Sequence, residues 1–176
     1  MTDSSSNDKI LADGRFIRLL DRNGWEFAQR KGISGIVIIV PVTDDGELVL
    51  VEQLRPAVGK RVIELPAGLA GDQAGSESES LRTAAERELL EETGYAAGEM
   101  VFVTEGPPAP GITSEVVSFF VARGLRKVGD GGGDATEDIR THVVSLANVD
   151  GFLEDCASNG LFVDPKVYAG IHFARR

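Results

Sequence analysis

The stretch from Leu81 to Tyr95 constrains the fold more than any other part of the chain. Glu88, Glu91 and Glu92 place three carboxylates within five residues, and Gly94 follows. Helix positions advance by about 100° per residue. On that wheel the three glutamates share the sector of Leu81, Ala84, Ala85 and Leu89, while Arg82, Thr83 and Glu86 face away. A solvated charged face opposes the apolar stripe of its helix; this one extends it. Glu88 neighbours both Glu91 and Glu92 at helical spacing. Ionised carboxylates turned inward are costly unless something compensates them. A hard divalent cation is the simplest compensation, and Mg²⁺ takes oxygen ligands and bridges carboxylates to substrate phosphates. The chain therefore needs a helix over roughly 80–93, stopped by Gly94, and a fold that turns its acidic face inward.

The segments around this helix read mostly as strands. Residues 14–20 and 25–30 flank "DRNG", a hairpin turn signal. The run "GIVIIVPV" at 35–42 is continuously apolar, which fits a buried strand. Further strands are expected at 48–55, 61–65, 99–105, 115–125 and 139–146. Loops are expected over the Gly- and Ser-rich "AGLAGDQAGSESES", over "GPPAPG", and over "GDGGGDATED", whose glycines would let it close over substrate. Residues 147–159 and 165–175 read as closing helices. This order argues an α+β fold, a mixed sheet sandwiched by helices. We expect a disordered tail at 1–12, a β subdomain at 13–33 and one domain over 34–176.

Composition excludes several classes. The net charge is −10 and no basic stripe exists, so no nucleic-acid partner is expected. No run of 18 apolar residues exists, so no membrane partner is expected. Cys156 is the single cysteine, which suits a reducing compartment, and a cytoplasmic location is expected. His142, His172 and Cys156 fall in no motif and read as structural.

The residues around the acidic helix resemble the Nudix box: Gly, five residues, Glu, seven residues, then Arg-Glu-U-x-Glu-Glu-x-Gly-U, with U bulky and apolar. Seven residues after Glu79, the run Arg87 to Tyr95 fits nine consecutive positions. The departure is upstream. Gln73 stands where the first glycine belongs, and Gly68 is the matching glycine across a loop about five residues longer. The resemblance implies the Nudix α/β/α sandwich and a Mg²⁺-dependent hydrolysis of a nucleoside diphosphate linked to another group, with Mn²⁺ as a substitute metal. It implies Glu88 and Glu92 as principal metal ligands, Glu91 sharing or bridging, Arg87 orienting a carboxylate, and Glu79 as a weaker ligand or as a partner that supports the ligands without touching the metal.

Within that family the chain is most similar to the ADP-ribose pyrophosphatase branch. Arg55 in "VEQLRP" would approach the pyrophosphate, where a guanidinium suits paired oxygens. "ELPAG" would offer the Ala67 carbonyl to the metal, with Glu64 in support. Pro110 follows Tyr95 by fifteen residues, a spacing typical of the branch, and would stiffen a loop from which Glu115 reaches the site. Glu137 would be the late metal ligand or water-activating base. Relatives carry a further acid two places earlier, where this chain has Ala135; Asp134 or Asp138 would substitute, and Glu115 is another candidate base. The hairpin residues Trp25 and Phe27 share a strand face. In the family this region exchanges between the subunits of a homodimer, and an aromatic stacks on the nucleobase. The reading is thus hydrolysis of ADP-ribose or a related nucleoside diphosphate sugar by a homodimer. Two alternatives stand beside it: a sanitising pyrophosphatase of nucleoside triphosphates, and a silent Nudix binding module, although no glutamate of the box is missing.

Overall fold

The apolar run at 35–42 becomes strand β4 (Gly35–Pro41) at the centre of the molecule. It lacks polar alternation because both of its faces are covered. Ile38 and Val40 pack into one core with Leu50, Phe119 and Val121, while Val37 and Ile39 pack into a second core with Ala84, Ala85 and Leu89. The computed structural model describes residues 8–73, 75, 77–133 and 138–176. β4 pairs in parallel with β10 (Val117–Arg123) and antiparallel with β7 (Ala67–Ala70), and β9 (Glu99–Gly106) completes the order β7-β4-β10-β9. Helix α1 (Leu81–Thr93) carries the second core on one face of this sheet.

A second sheet has the order β12 (Arg140–Ser145), β5 (Glu47–Arg55), β6 (Lys60–Glu64) and β13 (Phe162–Val163). It closes the first core together with α2 (Val149–Ser158) and α3 (Pro165–Ala174). β8 (Tyr95–Ala96) pairs with β11 (Arg126–Lys127). The mixed α+β sandwich expected from the element order is what forms.

The hairpin is a three-stranded antiparallel sheet of β1 (Lys9–Asp13), β2 (Ile17–Arg22) and β3 (Trp25–Arg30). Asn23 and Gly24 turn it with φ of 56° and 86°, the left-handed pair that a tight two-residue hairpin requires. β1 starts at Lys9, inside the segment expected to be a disordered tail, and residues 1–7 lie outside the described residues. The sheet is tied to the body through Ala28, which donates to the Ile112 carbonyl and accepts from the Ser114 amide.

Two loop expectations change. "AGLA" forms β7 because its backbone completes the exposed edge of β4, and pairing overrides the weak strand propensity of Gly and Ala. The glycine run is docked over residues 129–133. Gly132 and Gly133 donate to the carbonyls of Glu92 and Glu91 at 2.9 and 3.0 Å. Those carbonyls have no partner inside the helix, so the loop caps the end of the acidic helix. The remaining loop residues, Asp134 to Glu137, lie outside the described residues.

Gly94 sits at this junction with φ 71°, and a Cβ on it would lie 2.1 Å from the Gly129 carbonyl oxygen. Gly160 has a similar φ of 85° but no atom within 4 Å of such a Cβ. Gly160→Ala is expected to cost only the left-handed backbone penalty, about 1 kcal/mol. Gly94→Ala adds overpacking and is expected to cost about 3 kcal/mol or more. Urea denaturation of the two variants checks this; equal losses would show that the glycine cap is not packed as described.

Candidate active site

Helix α1 starts at Ser80, whose hydroxyl accepts from the Thr83 amide, and stops at Gly94, whose amide donates to the Leu90 carbonyl. Between these caps the inward sector carries Leu89, Glu88 and Glu92. Glu92 is 3% exposed. Its Oε2 accepts the Ala67 amide at 3.1 Å, which fixes the carboxylate against β7. The Glu88 side chain is 12% exposed. Gly68 lies directly beneath it, and a Cβ there would fall 1.9 Å from the Glu88 carboxyl carbon. Only glycine lets this strand and this carboxylate approach so closely. That assigns Gly68 as the glycine that the acidic motif requires, despite the longer loop.

Arg87 organises the carboxylates. Its guanidinium donates to Glu79 Oε1 and Oε2 at 3.1 and 3.2 Å, to Glu88 Oε1 at 2.8 Å and to Glu91 Oε2 at 3.1 Å. A further bond reaches the Leu69 carbonyl at 2.9 Å, and Asp72 lies 3.7 Å away. The extended loop thus brings Glu79 back to Arg87. The hydrogen bonds from Arg87 hold the Glu79 carboxyl below the usual range, against its burial. Glu88 behaves oppositely: burial pushes it up to about 7, against the attraction of Arg87 and with the help of Glu91 and Asp72. Glu91 departs from its expected inward position. Its side chain is 46% exposed and hangs on Arg87 at the rim.

Of these carboxylates Glu88 lines a cleft of about 360 Å³. Its acidic wall includes Glu88 and Asp72, with Ala67 and Gly68 beneath. The same cleft is lined by three cations, Arg30, Arg55 and Lys166. Arg55 makes a bidentate pair with buried Glu64 at 2.7 and 2.6 Å, and this pairing raises its already high pKa. Glu64 therefore holds Arg55 at the cleft wall. Arg30 is held in the same manner by Glu115 at 2.8 Å.

The expected residues are not all brought together. Glu88, Ala67, Arg55 and Glu115 line the cleft, and Glu92 lies behind Ala67. Trp25, Phe27 and Pro110 line a separate cleft of about 250 Å³ with Thr113. Pro108, two residues before Pro110, is the proline on the main cleft. Glu137 and Asp134 lie outside the described residues. Asp138 is bound by Arg61 through its carboxylate and its carbonyl, at 2.6 and 3.1 Å. Sequence reading missed Arg30, Lys166 and Asp72. A basic residue at a strand end or in a first helical turn has no periodic signature, and Asp72 gained its role only when the loop folded back.

Among the described residues no group of three or more His, Cys, Asp or Glu side chains forms a ready-made metal cage, and Arg87 stands between Glu88 and Glu91. The donors still suit a hard cation. Glu88 is a carboxyl taken out of water and pushed toward neutrality, beside a second buried carboxylate, and both offer oxygen. Among the described residues no helix is long and apolar enough to cross a membrane.

A model of the NUDIX domain matches residues 34–159. The chain is 42% identical to an ADP-ribose pyrophosphatase of Mycobacterium tuberculosis over 54% of its own length and 44% of that protein. It is 30% identical to a GDP-mannose pyrophosphatase of an Enterobacter species over 75% of each. The solved structure of an ADP compounds hydrolase shares the fold at a TM-score of 0.65 and 27% identity, over 85% of this chain and 81% of that one. The chain spans about half the length of several curated relatives it matches. It belongs to the Nudix family, whose members generally use divalent metals.

The raised Glu88 carboxyl sets a pH dependence. Its folded value of about 7 exceeds the ordinary 4.5. Its contribution to stability is thus complete below pH 4.5 and is lost as pH rises through 7. The loss is expected to be about 3 kcal/mol in metal-free protein. Denaturation of chelated protein from pH 4.5 to 8.5 should show this decline, and Glu88→Gln should flatten it. Parallel curves for the two proteins would refute the assignment.

Proposed function

We propose that this Nudix chain hydrolyses the diphosphate bond of ADP-ribose or a related nucleoside diphosphate sugar, giving a nucleoside monophosphate and a sugar phosphate, with Mg²⁺ as its metal and Mn²⁺ as a substitute. One observation carries the reading: a single cleft is lined by the largely enclosed carboxyl of Glu88 and by the three cations Arg30, Arg55 and Lys166. A diphosphate has acidic oxygens for both sides, bound directly by the cations and through a divalent ion on the acidic wall. The names of the matched relatives, an ADP-ribose pyrophosphatase and a GDP-mannose pyrophosphatase, support the substrate class.

When bound, the cation neutralises developing phosphate charge and lowers the pKa of a coordinated water. Glu88 and Glu92 would hold it, with the Ala67 carbonyl as a further ligand and Glu91 reaching in from the rim. Arg87 keeps Glu79, Glu88 and Glu91 together while no cation does so. Arg55, locked by Glu64, would clamp phosphate oxygens with little loss of side-chain freedom. Glu137 remains the proposed late ligand or base, with Asp134 as a substitute. Asp138 is less suited because Arg61 already holds it.

A homodimer through the β subdomain is part of the proposal. It is supported by Ile10, Phe16, Ile17 and Trp25, each more than half exposed on the three-stranded sheet and its turns. A cytoplasmic site of action fits the single cysteine.

Initial rates with Mg²⁺ on ADP-ribose, other nucleoside diphosphate sugars, dinucleotides and nucleoside triphosphates test the reading. Cleavage of the diphosphate sugars is expected; cleavage of triphosphates alone would overturn it, and cleavage of none would leave a binding module. Glu92→Gln is expected to lower kcat on the order of a hundredfold or more while the variant still melts cooperatively. Near-normal kcat in that variant would remove Glu92 from the site.

A further inference from the structure

Arg87 and a divalent cation compete for the same oxygens. Arg87 Nη1 donates to Glu88 Oε1 at 2.8 Å and to Glu91 Oε2 at 3.1 Å, and both carboxylates are proposed to hold the cation. A guanidinium and a divalent ion on shared oxygens repel each other. The other edge of the guanidinium has no such conflict. Nε and Nη2 donate to Glu79 at 3.1 and 3.2 Å, and Nη2 also donates to the Leu69 carbonyl at 2.9 Å. Cation entry therefore leaves Arg87 anchored on one edge and short of an anionic partner on the other.

A further carboxylate stands beside that anchored edge without bonding to it. Asp72 Oδ1 lies 3.7 Å from Arg87 Nη2, close enough for an ion pair but beyond hydrogen-bond distance. The Glu79 side chain is 8% exposed, whereas that of Asp72 is 36% exposed, so Asp72 has room to close the gap. Its backbone starts from a fixed point. Gly71 has φ 73°, a Cβ on it would fall 2.9 Å from Ser34 Oγ, and its amide donates to Glu79 Oε2 at 3.4 Å. Asp72 thus extends from a held turn into the cleft that Glu88 also lines. It belongs to the lengthened loop between Gly68 and Glu79.

We propose that Asp72 is a positioning residue that acts through Arg87. When a divalent cation takes the oxygens of Glu88 and Glu91, the guanidinium lets go of them and closes on Asp72, while Glu79 and Leu69 keep their hold. Five donors allow this exchange without stranding an N–H. Only hydrogen bonds are exchanged; no proton and no covalent bond moves. A contact that is long in the free protein and short in the loaded one raises cation affinity by the difference. The lengthened loop then has a role: it supplies the partner that releases the acidic wall. The proposal rests on the reading that this wall takes a divalent cation.

A crystal structure with Mn²⁺ bound reads the exchange directly. Arg87 is expected within hydrogen-bond distance of Asp72 and detached from Glu88. Arg87 still on Glu88 and Glu91, or an Asp72 oxygen on the ion, overturns the proposal. Calorimetric titration of Mn²⁺ at pH 8 gives the energetic counterpart. Asp72→Asn is expected to weaken binding about tenfold, with no loss of stability in the metal-free protein, and Asp72→Glu is expected to restore it. In an Arg87→Lys background, where a single ammonium replaces the fork, the effect of Asp72→Asn is expected to shrink to about threefold or less. Equal losses in the two backgrounds show that Asp72 acts on the ion without Arg87 and overturn the proposal. Unchanged affinity in Asp72→Asn, when the wild type binds Mn²⁺, overturns the role of Asp72 alone. A wild type that binds no Mn²⁺ overturns the cation reading beneath it.

Discussion

The guanidinium of Arg87 is the contact on which the site depends. It holds Glu79, Glu88 and Glu91 together and bonds to the Leu69 carbonyl of β7. Without a cation these carboxylates would repel one another across a helix face that must also pack against a sheet. A planar fork with five donors is suited to serve several partners at once. It fastens the loop at Glu79, the helix at Glu88 and the edge strand at Leu69. Its position on the helix follows from the order of residues in the acidic run, where Arg87 directly precedes Glu88.

The rest of the fold brings counter-charge to the same cleft. Arg55 comes from β5 in the second sheet, Arg30 from the small N-terminal sheet and Lys166 from α3. Each is controlled by its own carboxylate: Glu64 for Arg55, Glu115 for Arg30 and Asp164 for Lys166. Such pairing fixes the cations without making them apolar, and a diphosphate can still approach their remaining donors. In a protein with a net charge of −10, three basic side chains from distant segments thereby line one cleft.

Much of this was legible in the sequence, and the reason is local. The inward sector of α1 follows from helical periodicity, and Glu92 and Glu88 lie where the wheel puts them. Glu91 does not, because an interaction with Arg87 one turn back holds it at the rim. β4 was readable because burial on both faces leaves an unbroken apolar run. β7 was not, since its four small residues are a strand only by pairing with β4. The glycine run looked like a free loop, and its role as a cap on α1 depends on a close approach that composition does not encode. The cation belt was invisible for the same reason. Arg30, Arg55 and Lys166 come from three distant segments, and only Arg55 lay in a motif.

The central claim is that the buried carboxyls of α1 form a site for a divalent cation. Calorimetric titration of Mn²⁺ into chelator-treated protein, repeated in buffers of different ionisation enthalpy, tests it directly. Glu88, held at about 7 by burial, must give up its proton to bind a metal. Binding near pH 6 should therefore release protons, the release should fade above pH 8, and Glu88→Gln should remove it. Absence of binding, or binding without proton release that is indifferent to Glu88→Gln, would contradict the account.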